Sequence, residues 1–216
     1  MKRPVLFVVL LSAVLSSCDE HVQYPDNSLC VGDIVMSDGS VLRPAAADSS
    51  RLTPVAVVFY VNHDEAVQGD GYAVYMSSVE ALAFADSLGV KQGTSASATS
   101  HDGNENTYSM YVCSSVSSPA AERVFDMWIC GQSAYVPSVA QLRLLYASLD
   151  IVNASIDRLG GQLLSVQTPS CWYWTSTEVA GQEDNKAWLY SLSSGAVQET
   201  PKTERHSLRP VITLNR

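Results

Sequence analysis

The chain has 216 residues, a formal net charge of −9 at pH 7 and a sequence pI near 4.7. An acidic chain of this kind offers few of the Lys and Arg side chains that phosphate contacts need, so we expect no nucleic-acid partner. The length suits one large domain or two small ones, with a hydrophobic core that does not depend on crosslinks.

The first eighteen residues have the pattern of a bacterial lipoprotein signal. Lys2 and Arg3 form a cationic start, and Val5–Val14 is an apolar run too short to span a bilayer comfortably. In Leu15-Ser16-Ser17-Cys18, the small residues fit a peptidase cleft and the Cys18 thiol can accept a diacylglyceryl group. We therefore expect a signal peptide at residues 1–17 and a lipid on Cys18. The alternative is an ordinary secretory signal followed by a coincidental Cys.

Removal of these 17 residues leaves 199 of the 216 and changes the formal charge from −9 to −11, because Lys2 and Arg3 leave and no acid does. Since no basic patch remains for anionic lipid, we expect contact with the membrane through the acyl chains on Cys18. This predicts a lipid-anchored protein of the bacterial outer membrane or cell surface. Asp19 and Glu20 resemble surface-export signals in some bacteria, whereas Asp at that position retains lipoproteins at the inner membrane in others.

The domain organisation follows from composition. Residues 18–28 are polar and contain Pro25, which predicts a tether, and residues 29–216 are assigned to one domain. Alternating or β-branched runs predict strands at Cys30–Met36, Val41–Leu42, Val55–Val61 and Gly71–Met76. Ser37-Asp38-Gly39-Ser40 supplies the turn of the first hairpin.

Helical patterns occupy the middle of the domain. Residues 87–107 are rich in Ser, Thr, Gly, Asn and Ala and predict a long, mobile surface loop. Pro119–Ile129 has helical spacing of apolar residues, and Ser138 with Gln141 forms a capping-box pattern before a second helix. Asp150–Leu159 predicts a third short helix, stopped by glycine.

The chain then returns to strand patterns at Cys171–Thr175, Ala187–Leu192, Ala196–Glu199 and Leu208–Leu214, with a hairpin turn at residues 193–195. The order of strands, helices and strands predicts an α+β single domain with antiparallel sheets and two to three short helices.

Short motifs in the second half resemble a known family. They are Val136-Pro137-Ser138-Val139-Ala140-Gln141-Leu142, Tyr173-Trp174-Thr175-Ser176-Thr177-Glu178, Ala187-Trp188 and Leu208-Arg209-Pro210-Val211. In this order they resemble C-type-lectin-like bacterial domains, including the C-terminal domain of collagen-like adhesins and relatives of the sulfatase-activating fold. Val31-Gly32-Asp33-Ile34-Val35, Ser37-Asp38-Gly39 and Val55–Val61 are similar to the opening of gut-bacterial lipoproteins that carry this domain.

The resemblance implies a C-type-lectin-like fold, which does not by itself imply a lectin function. On strands, alternation should direct Trp174 and Tyr173 to opposite faces, one toward the core and one outward. Together with Trp172 and Tyr190, the outward rings are candidates for a platform that stacks on a sugar or peptide. We also expect Arg209 to reach a carboxylate, with Glu178 as the candidate partner.

The sequence also offers a few candidates for metal and catalytic sites. Asp184 and Asn185 lie in the only acidic cluster suited to a calcium-dependent sugar site, but a solvated loop explains the cluster better, so no metal or cofactor is expected. Lys202, Arg205 and Arg209 are expected in a charge-balanced surface loop, and His63, His101 and His206 at the surface.

The cysteines Cys30, Cys113, Cys130 and Cys171 leave disulfides and free thiols equally open, with no redox-enzyme spacing. Gly131-Gln132-Ser133-Ala134-Tyr135 lacks the second glycine of a serine-hydrolase elbow.

These patterns predict a protein that is not an enzyme, anchored in the envelope, that binds a glycan, a matrix polymer or another envelope protein. Two alternatives stay open: an enzyme or accessory protein acting on polysaccharide, and a structural subunit of a surface assembly.

Overall fold

Two five-stranded sheets form the centre of the fold in the computed structural model, which describes residues 28–63, 69–129 and 131–215. The strands are β1 (Ile34–Met36), β2 (Val41–Leu42), β3 (Pro54–Val61), β4 (Gly71–Tyr75), β5 (Val79–Ala83), β6 (Trp128–Ile129), β7 (Gln132–Ser133), β8 (Trp172–Glu178), β9 (Lys186–Ser191), β10 (Val197–Pro201), β11 (Arg205–Leu208) and β12 (Val211–Leu214). The helices are α1 (Pro44–Asp48), α2 (Gly103–Val112), α3 (Pro119–Phe125), α4 (Val139–Ala147) and α5 (Leu149–Arg158).

The first sheet has the order β12-β4-β3-β1-β2, and the second has the order β10-β9-β8-β11-β5. Every pairing described within them is antiparallel except that of β11 with β8. The sheets and helices form a single compact α+β domain, which confirms the predicted fold class. The five helices described exceed the two to three that were expected.

The sheets have apolar side chains on both faces. On β3, for example, Val58 belongs to one buried cluster and Val57 to a second. Helices α2 and α3 contribute to the first cluster, whereas α4 and α5 contribute to the second. The fold therefore has a helix layer on each side of the sheets. This explains why β3 is a continuous apolar run, since a strand covered on both faces cannot alternate between apolar and polar residues.

Short sequence patterns correctly predicted the start of α4 and two hairpin turns. The side chain of Ser138 accepts from the backbone N–H of Gln141, and the Gln141 side chain accepts from the N–H of Ser138, so the capping box at the start of α4 is confirmed. The turn between β1 and β2 contains Gly39 at a φ of 87°, as the hairpin prediction requires. Gly195 has a φ of 72° in the predicted turn between β9 and β10.

Other boundaries were wrong. Helix α2 begins at Gly103, inside the predicted loop, and β5 was missed altogether. The predicted helix to Ile129 ends at Phe125, after which Trp128 and Ile129 form β6. The predicted strand Leu208–Leu214 is two strands, because the chain leaves the second sheet at β11 and enters the first at β12.

The remaining part of the predicted loop is held in place by hydrogen bonds. We call residues 86–102 the strap. Its Gly89 N–H donates to the carbonyl of Asp184, and its Ser95 N–H donates to the side chain of Asn106 on α2. At its far end, the hydroxyl of Ser138 donates to the carbonyl of Ser100 over 2.7 Å. The polar strap therefore has irregular backbone, and hydrogen bonds attach it to the rest of the domain at several points.

The predicted signal peptide, the tether as far as residue 27, Cys18 and Cys130 lie outside the described residues. Of the cysteines inside them, Cys30, Cys113 and Cys171 carry free thiols. In the part of the chain that is described, no helix has the length and apolar character to cross a membrane.

Candidate functional site

The predicted aromatic platform is mostly buried. Tyr173 is 4% exposed and Tyr190 is 1% exposed, while Trp174 has no exposed surface. Trp172, at the start of β8, is half-buried. Alternation does place Tyr173 and Trp174 on opposite faces, but the outward face predicted for one of them is a second core, so both rings lie inside the protein.

Each of the two buried tyrosines contacts a neighbouring segment of the domain. The Ser165 N–H donates to the Tyr173 hydroxyl over 2.8 Å. Burial raises the pKa of Tyr173, and burial also raises the pKa of Tyr190. Tyr190 meets Tyr146 of α4 edge to face, with ring centroids 6.3 Å apart. These contacts join β8 and β9 to the segments that cover them.

Asp184 and Asn185 lie in the turn between β8 and β9 and are partly exposed. The carbonyl of Asp184 accepts from the strap, and the carbonyl of Asn185 accepts from the N–H of Lys202 over 3.0 Å. Beside them, the pKa of Glu183 falls to about 2, chiefly because the backbone N–H of Gly181 donates to its carboxylate. Among the described residues, no group of three His, Cys, Asp or Glu side chains is placed to hold a metal ion.

Glu178 is the most enclosed acid of the second sheet, and its partner is Lys202 rather than the predicted Arg209. Both side chains are fully buried. The carboxylate also accepts from the N–H of Gln92 over 2.9 Å and from the hydroxyl of Thr94 over 3.0 Å. The Lys202 ammonium donates to the carbonyl of Val90 and lies 5.4 Å from the centre of the Phe84 ring. Because three of these groups belong to the strap, the ion pair holds the strap against the sheet.

Arg209 is also buried, so the predicted surface loop of basic residues is wrong for both Lys202 and Arg209. Its Nη2 donates to the carbonyl of Gln162, and its Nε and Nη1 have no hydrogen-bond partner within the described ranges. Burial lowers the pKa of Arg209 to about 10. Arg205 is exposed as expected, His63 and His101 are exposed, and His206 is partly exposed.

A cluster of aromatic rings lies at the surface beside α2 and α3. We call Tyr108, Tyr111, Phe125 and Trp128 the aromatic patch. The rings of Tyr111 and Phe125 stack with centroids 4.0 Å apart, and Phe125 meets Trp128 edge to face at 6.5 Å. Trp128 is 63% exposed. The patch therefore presents preassembled aromatic surface to solvent.

This patch was not predicted from the sequence, because the apolar residues of 119–129 have helical spacing and were all assigned to one helix. The signal that could have found the patch is Asp126, which lies between Phe125 and Trp128. A charged residue at that position does not suit a buried helix face.

A groove opens on the other helix layer, where α4 turns into α5. Its volume is about 620 Å³. Side chains from the helix corner and from the segments beside it line the groove, including Tyr146, Leu149, Asp150, Ile151, Val166 and Leu192. Ile151 is 53% exposed, and Tyr146 and Val166 are also exposed, so the groove has a mixed lining in which these side chains lie beside Ser148, Asp150 and Ser193. We call it the α4–α5 groove. The structure thus has two candidate contact surfaces, the aromatic patch and the α4–α5 groove, on opposite sides of the sheets.

Comparison with known proteins identifies the fold rather than a family. No family model matches the chain, and no curated protein matches it. A solved structure that does match is a fimbrial protein from Bacteroides ovatus ATCC 8483, with a TM-score of 0.64 and 18% sequence identity. The match covers 86% of this chain and 49% of that chain, so the present chain spans about half the length of its structural neighbour. The chain has a fold similar to that of a bacterial fimbrial protein.

Proposed function

We propose that the protein is a structural subunit of a bacterial cell-surface assembly. The observation that carries this proposal is the similarity to a fimbrial protein over 86% of the chain. The burial of Tyr173 and Tyr190 also favours it over a sugar-binding platform on β8 and β9, because those rings offer almost no surface to a ligand. A subunit needs exposed contact surfaces, and the aromatic patch and the α4–α5 groove are surfaces of that kind.

Immunogold electron microscopy of intact cells that produce the full chain tests this function. We expect gold particles on extended structures at the cell surface, and a short crosslinker should yield a ladder of multiples of the chain. A chain dispersed over the surface that binds glycans, with loss of binding in Trp172→Ala, contradicts the proposal in favour of an adhesin. Trp172 is the suitable probe because it is only half-buried. The C-type-lectin-like resemblance would then describe the function better.

We further propose that the chain is held at the outer membrane or cell surface by lipid on Cys18. The support is the order of cationic start, apolar run, small residues and Cys in residues 2–18. Stable attachment of a lipoprotein needs two or more acyl chains, because a single chain binds membranes only marginally.

Cys18→Ser should abolish incorporation of radiolabelled palmitate and release the chain from the membrane fraction, because serine offers no thiol for the diacylglyceryl group. Cys30→Ser is the matched control, since Cys30 is a free thiol in the domain and should leave labelling unchanged. Equal labelling of the Cys18→Ser chain and the wild type would exclude Cys18 as the lipidation site.

A further inference from the structure

We propose that the aromatic patch, together with the carboxylates that border it, docks an arginine-bearing segment of a partner protein. This inference rests on the proposed function, because it names the chemistry of the partner that one contact surface of the subunit takes. The surface combines exposed rings with exposed acids, and both features favour the same positively charged partner.

The exposed rings supply the apolar part of the contact. Trp128 and Tyr108 are each more than half exposed, and Tyr111 is exposed as well. The stack of Tyr111 on Phe125 and the edge-to-face contact of Phe125 with Trp128 join α2, α3 and β6 into one surface. Because these rings already hold one another in place, little side-chain freedom is lost when a partner docks.

Carboxylates border the rings on both helices. Glu105 lies one turn before Tyr108 on α2, and Glu122 lies one turn before Phe125 on α3. Asp126 follows directly at the end of α3. All three acids are exposed, so a partner that covers the rings also meets negative charge.

The basic residue of α3 does not balance these acids. Arg123 is the only Lys or Arg between residues 103 and 133, where the acids number three. Its Nε lies 4.0 Å from a carboxylate oxygen of Glu80 on β5, so it already faces a carboxylate of its own domain. The segments that carry the patch therefore have a net negative charge, and complementarity requires a cationic partner.

Arginine is the side chain that suits both the rings and the acids. Its guanidinium is planar, always charged and weakly hydrated, so it can stack on the Trp128 ring while its N–H groups donate to a neighbouring carboxylate. An uncharged partner would cover the acids without replacing their contacts with water. A second copy of the chain is also a poorer partner, because a formal charge of −9 makes identical copies repel one another.

The test uses a fluorescently labelled peptide of alternating arginine and serine, titrated with the full chain in mild detergent at physiological ionic strength. We expect saturable binding, measured by fluorescence anisotropy. The matched peptide with citrulline in place of arginine keeps the planar hydrogen-bonding group but lacks the charge, so it should bind about fivefold more weakly. Trp128→Ala should weaken binding of the arginine peptide by about the same factor, because it removes the ring on which the guanidinium stacks.

Two double variants test the contribution of the acids. Glu122→Gln with Asp126→Asn should weaken binding of the arginine peptide by a factor similar to that of Trp128→Ala. Asp150→Asn with Asp157→Asn is the matched control, because it removes the same charge from exposed positions on α5, in the other helix layer. The control should bind like the wild type. Thermal unfolding checks that every variant is folded.

Equal weakening by the two double variants would show nonspecific attraction to an acidic chain and would overturn the proposal. Unchanged binding by Trp128→Ala overturns it too, and so does equal binding of the citrulline peptide, which indicates an uncharged partner. Self-association of the wild type without peptide, lost in Trp128→Ala, would assign the patch to a second copy instead. None of these outcomes touches the subunit function, which fails if the immunogold experiment finds no surface structure decorated by the wild type.

Discussion

Lys202→Met should lower the free energy of unfolding by about 3–5 kcal/mol, because it leaves the carboxylate of Glu178 buried without its counter-charge. Gln92 and Thr94 still donate to the carboxylate in this variant, but neither carries a positive charge. Small domains are stable by only about 5–15 kcal/mol, so the loss would be a large share of the total. Equilibrium urea unfolding measures it as a shift of the midpoint.

Lys186→Met is the matched control for this experiment. Lys186 forms an ion pair with Glu199 over 3.0 Å, but both side chains are at least one third exposed. Solvent screening should keep this loss within about 0.2–1 kcal/mol. A Lys202→Met variant that loses no more than the control would show that the buried pair does not hold the strap. The double variant Glu178→Leu with Lys202→Met should recover part of the loss, because it removes both buried charges together.

Trp174→Ala should lower the free energy of unfolding by a similar amount, about 3–5 kcal/mol, through lost burial and a cavity in the first cluster. The Trp174 ring has no exposed surface and meets Phe84 edge to face at 5.6 Å. The variant also leaves the carbonyl of Leu82 without the indole N–H that donates to it over 2.9 Å. The same urea experiment measures the effect.

Trp128→Ala is the matched control, because it removes the same type of side chain from a position that is 63% exposed. Measured on monomer at low concentration, its effect should stay near ±0.5 kcal/mol. Equal losses at the two positions would mean that the burial described for Trp174 is wrong.

These two experiments separate the roles of the aromatic residues. Those of β8 and β9 stabilise the domain, as the edge-to-face contacts of Trp174 and Tyr190 indicate. Those of the aromatic patch are available to a partner. Strand alternation predicted ligand contacts at the first group, but the most exposed ring, Trp128, is in the second.

Features that depend on a few neighbouring residues could be predicted from the sequence. The capping box joins Ser138 to Gln141 within one turn, and Gly39 and Gly195 adopt positive φ angles in hairpin turns. The apolar run of β3 predicted a buried strand for the same reason, since side-chain period and β-branching are local properties. The order of strands, helices and strands then indicated the α+β class correctly.

Features that depend on distant partners were decided only by the tertiary structure. Glu178 pairs with Lys202 rather than Arg209 because Lys202 lies in the turn after β10, which contacts the strap. No local spacing in the sequence encodes this position. The rings of Tyr173, Trp174 and Tyr190 are buried on both faces of the sheet because helices from the middle of the chain cover both sides of the sheets. Exposure is likewise a property of the assembled layers. The sequence alone therefore determined most of the strands and helices, but not β5 or the start of α2, and packing determined which aromatic rings a partner can reach.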